Sequence, residues 1–234
     1  MWLEGPLQSW GNDSKHGRRE TLTFPTKSGV AGLICASMGK KGEQTELLRQ
    51  FSKSHMTVMS FIDNSQLNKG FLRDFQTVGN GYDSKDPFSN LFIPKTSDGK
   101  TAVGGGSKIT YRYYLQSATF AVILELAPDL CEQIAIALQG PRYFTSLGRR
   151  NCCPSEWIYQ GIFYDFDAAQ TKALDLATFK SKQLFQKVLE GNHPELNGDI
   201  FVLKDVPIQF GIHKQYSERY VTVISYDENK SAVG

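Results

Sequence analysis

The stretch from Gly5 to Gly39 decides the fold of this chain. It opens with GPLQSWG (5–11), continues through the polar and basic run NDSKHGRRE (12–20) and closes with FPTKSGVAGLICASMG (24–39). The closing segment is an apolar run in which hydrophobic side chains recur at helical spacing. The recurring side chains are Val30, Leu33, Ile34 and Met38. We therefore predict a Gly-Pro turn, a basic loop and a helix in close succession.

The predicted helix has defined ends. Ser28 is the predicted N-cap, because its hydroxyl can accept a hydrogen bond from a free N–H group of the first turn. Gly39 ends the helix. Lys27, Arg18 and Arg19 lie beside the first turn, where the helix dipole favours negative charge. This start of the helix is therefore predicted to bind an anion such as a phosphate group.

The composition bounds the class of protein. The 234 residues suit one large domain or two small ones, and 40% of them are hydrophobic, which is ample for a packed core. The formal net charge at pH 7 is only +2, so contact with nucleic acid requires local clusters of Lys and Arg. No apolar run is long enough to span a bilayer, and no signal peptide precedes Trp2. We expect a cytoplasmic protein without membrane contact.

The four cysteines predict neither disulfides nor a metal site. Cys35 and Cys131 lie on predicted apolar helix faces, where cysteine packs as a small hydrophobic residue. Cys152 and Cys153 are adjacent, and adjacent cysteines lack the spacing of zinc ligands. The chain also lacks a phosphate-binding P-loop, since the glycine run at 104–106 has no Lys-Ser/Thr ending. No metal or other cofactor is expected.

The order of elements in the first 160 residues predicts an α+β, ferredoxin-like fold. The order is strand, helix, strand, insertion, strand and helix, which lacks only the last strand of that fold. Trp157–Phe166 is the predicted last strand, and the nearly continuous apolar run at Ala118–Leu126 predicts a central strand. The other predicted elements are a short first strand at Met1–Glu4, a helix at Thr45–Lys53, strands at His55–Asp63 and Lys108–Leu115, and a helix from Pro128 to Gly140.

The C-terminal third is predicted to form a small second domain or appendage, residues 165–234. Ala168–Leu189 is rich in Ala, Leu and Lys and favours a helix. Short strands are predicted at Asp199–Lys204, Val206–Ile212 and Glu218–Ser225, followed by a loose tail from Asp227.

Four motifs resemble the Cas-five family (CasD), the small subunit of type I-E Cascade, a CRISPR RNA-guided surveillance complex. GPLQSWG and FPTKSGVAGL are similar to its N-terminal signature at the expected distance. FLRDF (71–75) resembles its G-L-R-D-[YF] segment, and SLGRRNC (146–152) resembles its Y-L-G-R-R-[SN]-C segment. The resemblance covers most of the first 160 residues and is weak beyond about residue 165.

The resemblance implies a particular architecture. Residues 1–164 would form a ferredoxin-like domain of the RRM/RAMP type, with a long β-hairpin thumb inserted at 80–107 that lies against the guide RNA. Residues 165–234 would be a small C-terminal β-rich appendage. From composition alone, the polar, glycine-rich stretch 80–107 favours a surface loop instead.

The resemblance also implies a function without chemistry. Such a subunit grips the 5′ handle of the crRNA and caps the backbone filament built from CasC. It also supports the large subunit, CasA, which inspects target DNA, so this chain meets the target only indirectly.

Candidate RNA-binding residues fall in three regions of the chain that we expect to converge. Arginine and lysine would hold phosphates, and aromatic rings would stack on splayed bases. The candidates are Trp10, Arg18, Arg19, Lys27 and Ser28 in the N-terminal motifs, Arg73, Lys108, Tyr111 and Arg112 beside the insertion, and Arg149 and Arg150 after the second domain helix. Phe75 is a further stacking candidate. An isolated arginine is more often a solvated surface charge than an RNA contact. For Trp10 and Phe75, packing in the core is as common an outcome as stacking on a base.

Two other functions remain open at this point. A metal-independent endoribonuclease would need a general base and a general acid around a ribose, and type I-C relatives cleave their precursor RNA with Tyr, Lys and His. The strand after the insertion has no adjacent Lys-His pair, so those roles are not transferred. Among His16, His55, His193 and His213, the last is the best catalytic candidate, because it lies beside Lys214 near two predicted strands. The third possibility is a generic RNA-recognition module outside CRISPR.

Overall fold

A computed structural model describes residues 1–11, 17–63, 70–78, 83, 85–88, 96, 98–100 and 108–226. The four α-helices of this part are α1 (Lys27–Ser37), α2 (Thr45–Lys53), α3 (Pro128–Gln139) and α4 (Phe166–Phe179). The strands are β1 (Trp2–Glu4), β2 (Leu7–Gln8), β3 (Arg18–Arg19), β4 (His55–Ile62), β5 (Leu72–Val78), β6 (Lys108–Gln116), β7 (Thr119–Glu125), β8 (Gln183–Glu190), β9 (Asp199–Gln209) and β10 (Gln215–Ser225). The predicted α+β class is confirmed. In the described residues no helix combines the length and the apolar character needed to cross a membrane.

The main sheet has six strands in the order β1-β7-β4-β8-β10-β9, and every pair in it is antiparallel. β7 lies between β1 and β4, so the predicted central position of this apolar strand is confirmed. β4 is buried on both faces. Met56 and Val58 join the core beneath α1 and α3, whereas Met59 and Phe61 alternate with them and join a second cluster with Ala173 of α4.

The predicted last strand at Trp157–Phe166 is wrong. This segment has no regular strand, and its final residue begins α4. Two backbone hydrogen bonds nevertheless hold Ile158 and the preceding Ser155 beside β1: the Trp2 N–H donates to the Ile158 carbonyl at 2.8 Å, and the Ser155 N–H donates to the Glu4 carbonyl at 2.8 Å. Because β1 has only three residues, it offers too short a template for a longer partner.

The predicted cap of α1 also needs correction. Thr26, in an extended conformation, is the N-cap, and its hydroxyl oxygen accepts a hydrogen bond from the Gly29 N–H at 3.2 Å. The backbone is already helical at Lys27, so Ser28 lies inside the first turn rather than before it. Gly39 follows the helix with a φ of 71°, which confirms the predicted end.

The C-terminal strands extend the main sheet. The predicted helix at Ala168–Leu189 is right as far as Phe179 and wrong beyond it, because Gln183–Glu190 forms β8 between β4 and β10. The turn at Ser181, with a φ of 54°, ends the helical path, and pairing with two strands then overrides helical propensity. The two strands predicted between Asp199 and Ile212 are one strand, β9. The division of the chain near residue 164 stays a prediction.

A second sheet brings the N-terminal motifs to the insertion. β6 pairs on one side with β5, and on the other with β2 and, in parallel, with β3. β5 and β6 pair from Leu72↔Tyr114 to Val78↔Lys108, so the two ends of the insertion meet. Most of residues 80–107 lies outside the described residues, as do His16 and the tail after Tyr226, so the thumb stays a prediction.

Candidate nucleic-acid interface

The N-terminal motif and the LGRR motif pack directly against each other. The Ser9 N–H donates to the Leu147 carbonyl at 3.1 Å. Gly148 has a φ of 92°, and a Cβ there would lie 1.8 Å from the Ser9 carbonyl oxygen. A Cβ on Gly5 would lie 2.6 Å from the carbonyl oxygen of Cys153. Glycine is therefore required at both positions by close backbone contact, and this contact places the LGRR turn beside the GPLQSWG segment.

Arg149 fastens this junction to the second sheet. Its guanidinium donates to the Tyr113 carbonyl at 3.2 Å and to the Arg19 carbonyl at 2.9 Å. The same group lies 4.7 Å from the centre of the Tyr114 ring. These contacts occupy much of its hydrogen-bonding capacity, so Arg149 positions the site. Arg150, next along the turn, is exposed and is the more available cation.

One face of the β5–β6 hairpin carries arginines on aromatic rings. The Arg18 guanidinium lies 5.2 Å from the Tyr113 ring centre, and the Arg73 guanidinium lies 5.7 Å from that of Tyr111. The Phe75 and Tyr111 rings are 5.6 Å apart, and Phe75 is 55% exposed. We call these five residues the hairpin face. Exposed rings and guanidiniums in this arrangement can stack on bases and attract phosphates.

The other two candidates on β6, Arg112 and Lys108, lie at different places on the strand. Arg112 alternates with Tyr111 and Tyr113 and so belongs to the opposite face of the strand, where it pairs with Asp74 and Arg19. Lys108 is the first residue of β6 and pairs with Val78. The predicted cluster therefore separates onto two sides of one strand.

A cleft of about 550 Å³ lies between the two motifs, α1 and the turn that joins β9 to β10. Its ionisable lining residues are Arg19, Arg149, Lys214 and Tyr216, and no carboxylate of the described residues lines it. Ser28, Gly29 and Gly32 of α1 and Trp10 also line it. The structure thus brings together four of the predicted residues, Trp10, Arg19, Ser28 and Arg149, in a cleft with cationic walls.

Two predicted RNA contacts are corrected by their burial. Trp10 is 1% exposed, and its ring lies so close to α1 that a Cβ on Gly29 would be 2.8 Å from it. Its indole N–H donates to the Gln8 side-chain oxygen at 3.1 Å. Trp10 therefore forms an inner wall and has no free face for a base. Lys27 is likewise 1% exposed and points away from the cleft into an ion-pair network.

That network fills the start of α1. The Lys27 Nζ lies 2.7 Å from the Glu190 carboxylate and donates to the Ser54 carbonyl at 2.6 Å. The Lys27 backbone N–H donates to Asp205 at 2.7 Å, and Arg219 grips the same carboxylate with bonds of 2.7 and 2.8 Å. Burial lowers the pKa of Lys27, and Glu190 partly offsets that shift. The anion at the start of α1 is thus the protein's own Asp205, and the phosphate site predicted there is corrected.

Lys214, Tyr216 and Tyr113 were not among the predicted site residues. The first two reach the cleft because the β9–β10 turn folds back on the N-terminal half of the chain, where the Phe210 N–H donates to the Glu43 carbonyl at 2.9 Å. The sequence feature that could have indicated them is a cation and an aromatic residue two positions apart, Lys214 and Tyr216. This feature indicates a binding site only once the long-range contact that brings it to the cleft is known.

A larger cavity, of about 690 Å³, lies elsewhere, beside α3 and α4. Its walls are mostly apolar and include Leu130, Ile134 and Ala173. Within the described ranges, no three His, Cys, Asp or Glu side chains are grouped so that they could hold a metal ion. The cationic cleft and the hairpin face are therefore the candidate functional site.

Comparison with known proteins identifies the family of this chain. The CRISPR system Cascade subunit CasD of Escherichia coli (strain K12) is 27% identical over 221 residues, 92% of either chain. A chain of a solved CRISPR RNA-guided surveillance complex aligns with a TM-score of 0.67 at 25% identity, covering 96% of this chain and 88% of that one. A crystal structure of a Cas protein shares the fold, with a TM-score of 0.57 at 24% identity over 96% and 92% of the two chains. The family model for CRISPR-associated protein (Cas_Cas5) matches residues 1–222, so this chain belongs to the CRISPR-associated Cas5 family.

Proposed function

We propose that this chain is the non-catalytic RNA-binding subunit of a type I CRISPR Cascade complex. It grips the 5′ handle of the crRNA and caps the backbone filament. One observation carries the proposal: Arg18, the strand with Arg73 and Phe75, and the strand with Tyr111 and Tyr113 come from three distant segments of the chain and join in one cationic and aromatic surface, the hairpin face. The Cascade membership of the related CasD agrees with it.

The chemistry of this surface suits single-stranded RNA. Bases that are splayed out of a helix can stack on rings such as the exposed Phe75 and the half-buried Tyr111, at about 1–3 kcal/mol per base. Arginines beside the rings, Arg18 and Arg73, can hold the linking phosphates. A duplex would present its bases edge-on in a groove and leave these rings unused.

The partners follow from membership of the complex. CasC subunits would contact this chain at the end of the backbone filament, and CasA would rest on it while inspecting DNA. Target DNA then reaches this chain only through the complex, in the cytoplasm. Co-purification of the chain with crRNA and CasC tests this part of the proposal.

A metal-independent endoribonuclease is the second candidate. The specific observation in its favour is that His213 precedes Lys214, which lines the cleft together with Tyr216. Against it, His213 is exposed, and none of the described cleft residues is a His, Asp or Glu.

The deciding experiment mixes the full chain with RNA carrying the 5′ handle of its own repeat, with precursor crRNA, and with unrelated RNA of equal length. We expect preferred binding of the handle and intact precursor, with or without EDTA. Cleavage at one site, abolished by His213→Ala, would replace the binding role with a nuclease. Equal affinity for handle and unrelated RNA would favour a generic RNA-recognition module.

A further inference from the structure

The turn between β9 and β10 forms one wall of the cationic cleft. Lys214 and Tyr216 stand on this wall, and Ser28, Gly29 and Gly32 of α1 lie in the facing wall. The C-terminal part of the chain therefore contributes to a site that the N-terminal motifs alone would leave open on one side.

The charges in the cleft are unbalanced. Arg19, Arg149 and Lys214 line it, and no described carboxylate does. Within the described residues, neither the Arg19 guanidinium nor the Lys214 ammonium has a hydrogen bond or an ion pair. Arg149, in contrast, is held by two carbonyl groups. Two cations thus remain for an external anion, and that imbalance favours a phosphate.

The shape of the cleft suits a ligand larger than a phosphate. Its volume of about 550 Å³ lies within the range of roughly 300–1,000 Å³ that is typical of sites for small organic ligands. A Cβ on Gly32 would meet no atom within 4 Å, so the helix leaves a flat, open wall there. Tyr216 is half-buried, and burial raises the pKa of its phenol, which keeps the hydroxyl protonated as a donor. The Tyr216 ring could stack on a base, the two cations could bind a phosphate, and the open wall of α1 leaves room for the sugar between them.

We propose that the cleft holds one nucleotide of the bound RNA, turned out of the stack of its neighbours. Its phosphate lies at Arg19 and Lys214, and its base lies against Tyr216. This inference rests on the proposed function for the identity of the RNA, but it concerns a separate surface from the hairpin face.

The first test measures affinity of the full chain for a labelled 5′-handle RNA over a series of salt concentrations. Lys214→Ala should weaken binding about fivefold and lower the salt slope by about 0.7, the value for one phosphate on a single strand. Lys204→Ala is the matched control, because Lys204 is an exposed lysine on β9 that does not line the cleft. Tyr216→Leu should weaken binding about tenfold, within the range for loss of one base stack, whereas Tyr216→Phe should retain most of the affinity.

The second test identifies the nucleotide. Single abasic substitutions are introduced along the handle and combined with Tyr216→Leu in double-mutant cycles. We expect one position at which the two losses overlap, so that the double change costs little more than either single change. Lys214→Ala with the same RNA series provides an independent readout should Tyr216→Leu reduce folding.

The outcomes separate this inference from the proposed function. If the wild-type chain prefers the handle but Lys214→Ala and Lys204→Ala behave alike, and no position couples to Tyr216, the cleft does not hold a nucleotide. If the chain has no preference for the handle but one nucleotide of an unrelated RNA couples to Tyr216, the cleft site stands and the handle-binding role does not.

Discussion

Lys27, the first residue of α1, lies with its ammonium group 2.7 Å from the carboxylate of Glu190, the last residue of β8. The two are 163 positions apart in the chain. Glu190 also accepts a hydrogen bond from the Met56 N–H at 2.9 Å, so this one carboxylate joins α1, β4 and β8. This pair of a buried lysine and a half-buried glutamate ties the N-terminal motif to a strand near the other end of the chain.

Removing Lys27 should therefore destabilise the protein rather than alter RNA contact. Lys27→Ala removes the shorter ion pair of the half-buried Glu190 and leaves Arg219, at 3.5 Å, as its remaining cation. Breaking a buried pair typically lowers the free energy of unfolding by about 3–5 kcal/mol, and we expect a loss at the lower end of that range. For a chain of this length, each kcal/mol shifts the melting temperature by about 2–4 °C. Thermal unfolding of the Lys27→Ala protein measures the effect. The matched control is Lys53→Ala, because Lys53 is an exposed lysine on α2. A stable Lys27→Ala protein with weaker RNA binding and a lower salt slope would restore Lys27 to the RNA site.

The two arginines of the LGRR turn should behave differently. Arg149→Ala removes charge-assisted hydrogen bonds to the Tyr113 and Arg19 carbonyls and should lower the free energy of unfolding by about 1–3 kcal/mol as well as weaken RNA binding. Arg150→Ala removes an exposed cation and should reduce affinity and salt slope at an unchanged melting temperature. Melting curves and binding isotherms on both variants check this. Equal melting temperatures would show that the bonds of Arg149 contribute little to stability.

The hairpin face should supply both charge and stacking. Arg18→Ala and Arg73→Ala should each lower the salt slope of handle binding by about 0.7, and Phe75→Ala should weaken binding with little change in that slope. Arg49→Ala is the matched control, since Arg49 is an exposed arginine paired with Glu46 on α2. An identical salt slope for the Arg49, Arg18 and Arg73 variants would exclude the hairpin face from the RNA site.

Whether an element could be predicted from the sequence depends on how far apart in the chain the residues that determine it lie. The helix at Thr45–Lys53 was predicted at its observed bounds, and the central apolar strand β7 within one residue at each end, because their signals are local periodicity. β8 was missed because its sequence, rich in Leu and Gln, favours a helix, and pairing with β4 and β10 makes it a strand. The sequence alone did not decide whether Trp10 packs in the core or lies at the surface.

The site follows the same rule. Arg19, Ser28 and Arg149 were found because they lie in or near motifs whose spacing is visible in the chain, and the structure gathers them at one cleft. Lys27 lies in the same motif and was assigned to RNA, since its partners Glu190 and Asp205 are far away in sequence. Lys214 and Tyr216 were missed for the converse reason: their own segment carries no motif, and only the fold brings them to α1.

The free thiols should differ in their reactivity and in their pH dependence. Burial raises the pKa of Cys35 to about 11, whereas Cys153 is exposed. At pH 8 a thiol-specific reagent should modify Cys153 readily and Cys35 only after unfolding, and Cys153→Ser should remove the fast phase. Because the unfolded Cys35 thiol loses its proton near pH 9 and the folded one near 11, this residue should reduce stability as pH rises through that window. Rapid labelling of Cys35 in the folded chain would contradict its burial.

The insertion should be needed for assembly and not for the fold. β5 and β6 pair in register up to Val78↔Lys108, so a tight turn can join them when residues 80–107 are removed. The sequence of this stretch is polar and glycine-rich, with too few apolar residues to build a core of its own. The shortened chain should therefore melt near the wild-type temperature yet fail to co-purify with crRNA and CasC.

A second variant separates the length of the insertion from its side chains. It replaces residues 80–107 with a Gly-Ser linker of equal length, which preserves reach but removes every specific contact. If side chains of a thumb grip RNA or CasC, this variant should fail to assemble as the shortened chain does. Normal assembly by the shortened chain would show that the insertion is no thumb. A shortened chain that unfolds would instead place the insertion in the core, and the pairing of β5 with β6 would then depend on residues beyond the two strands.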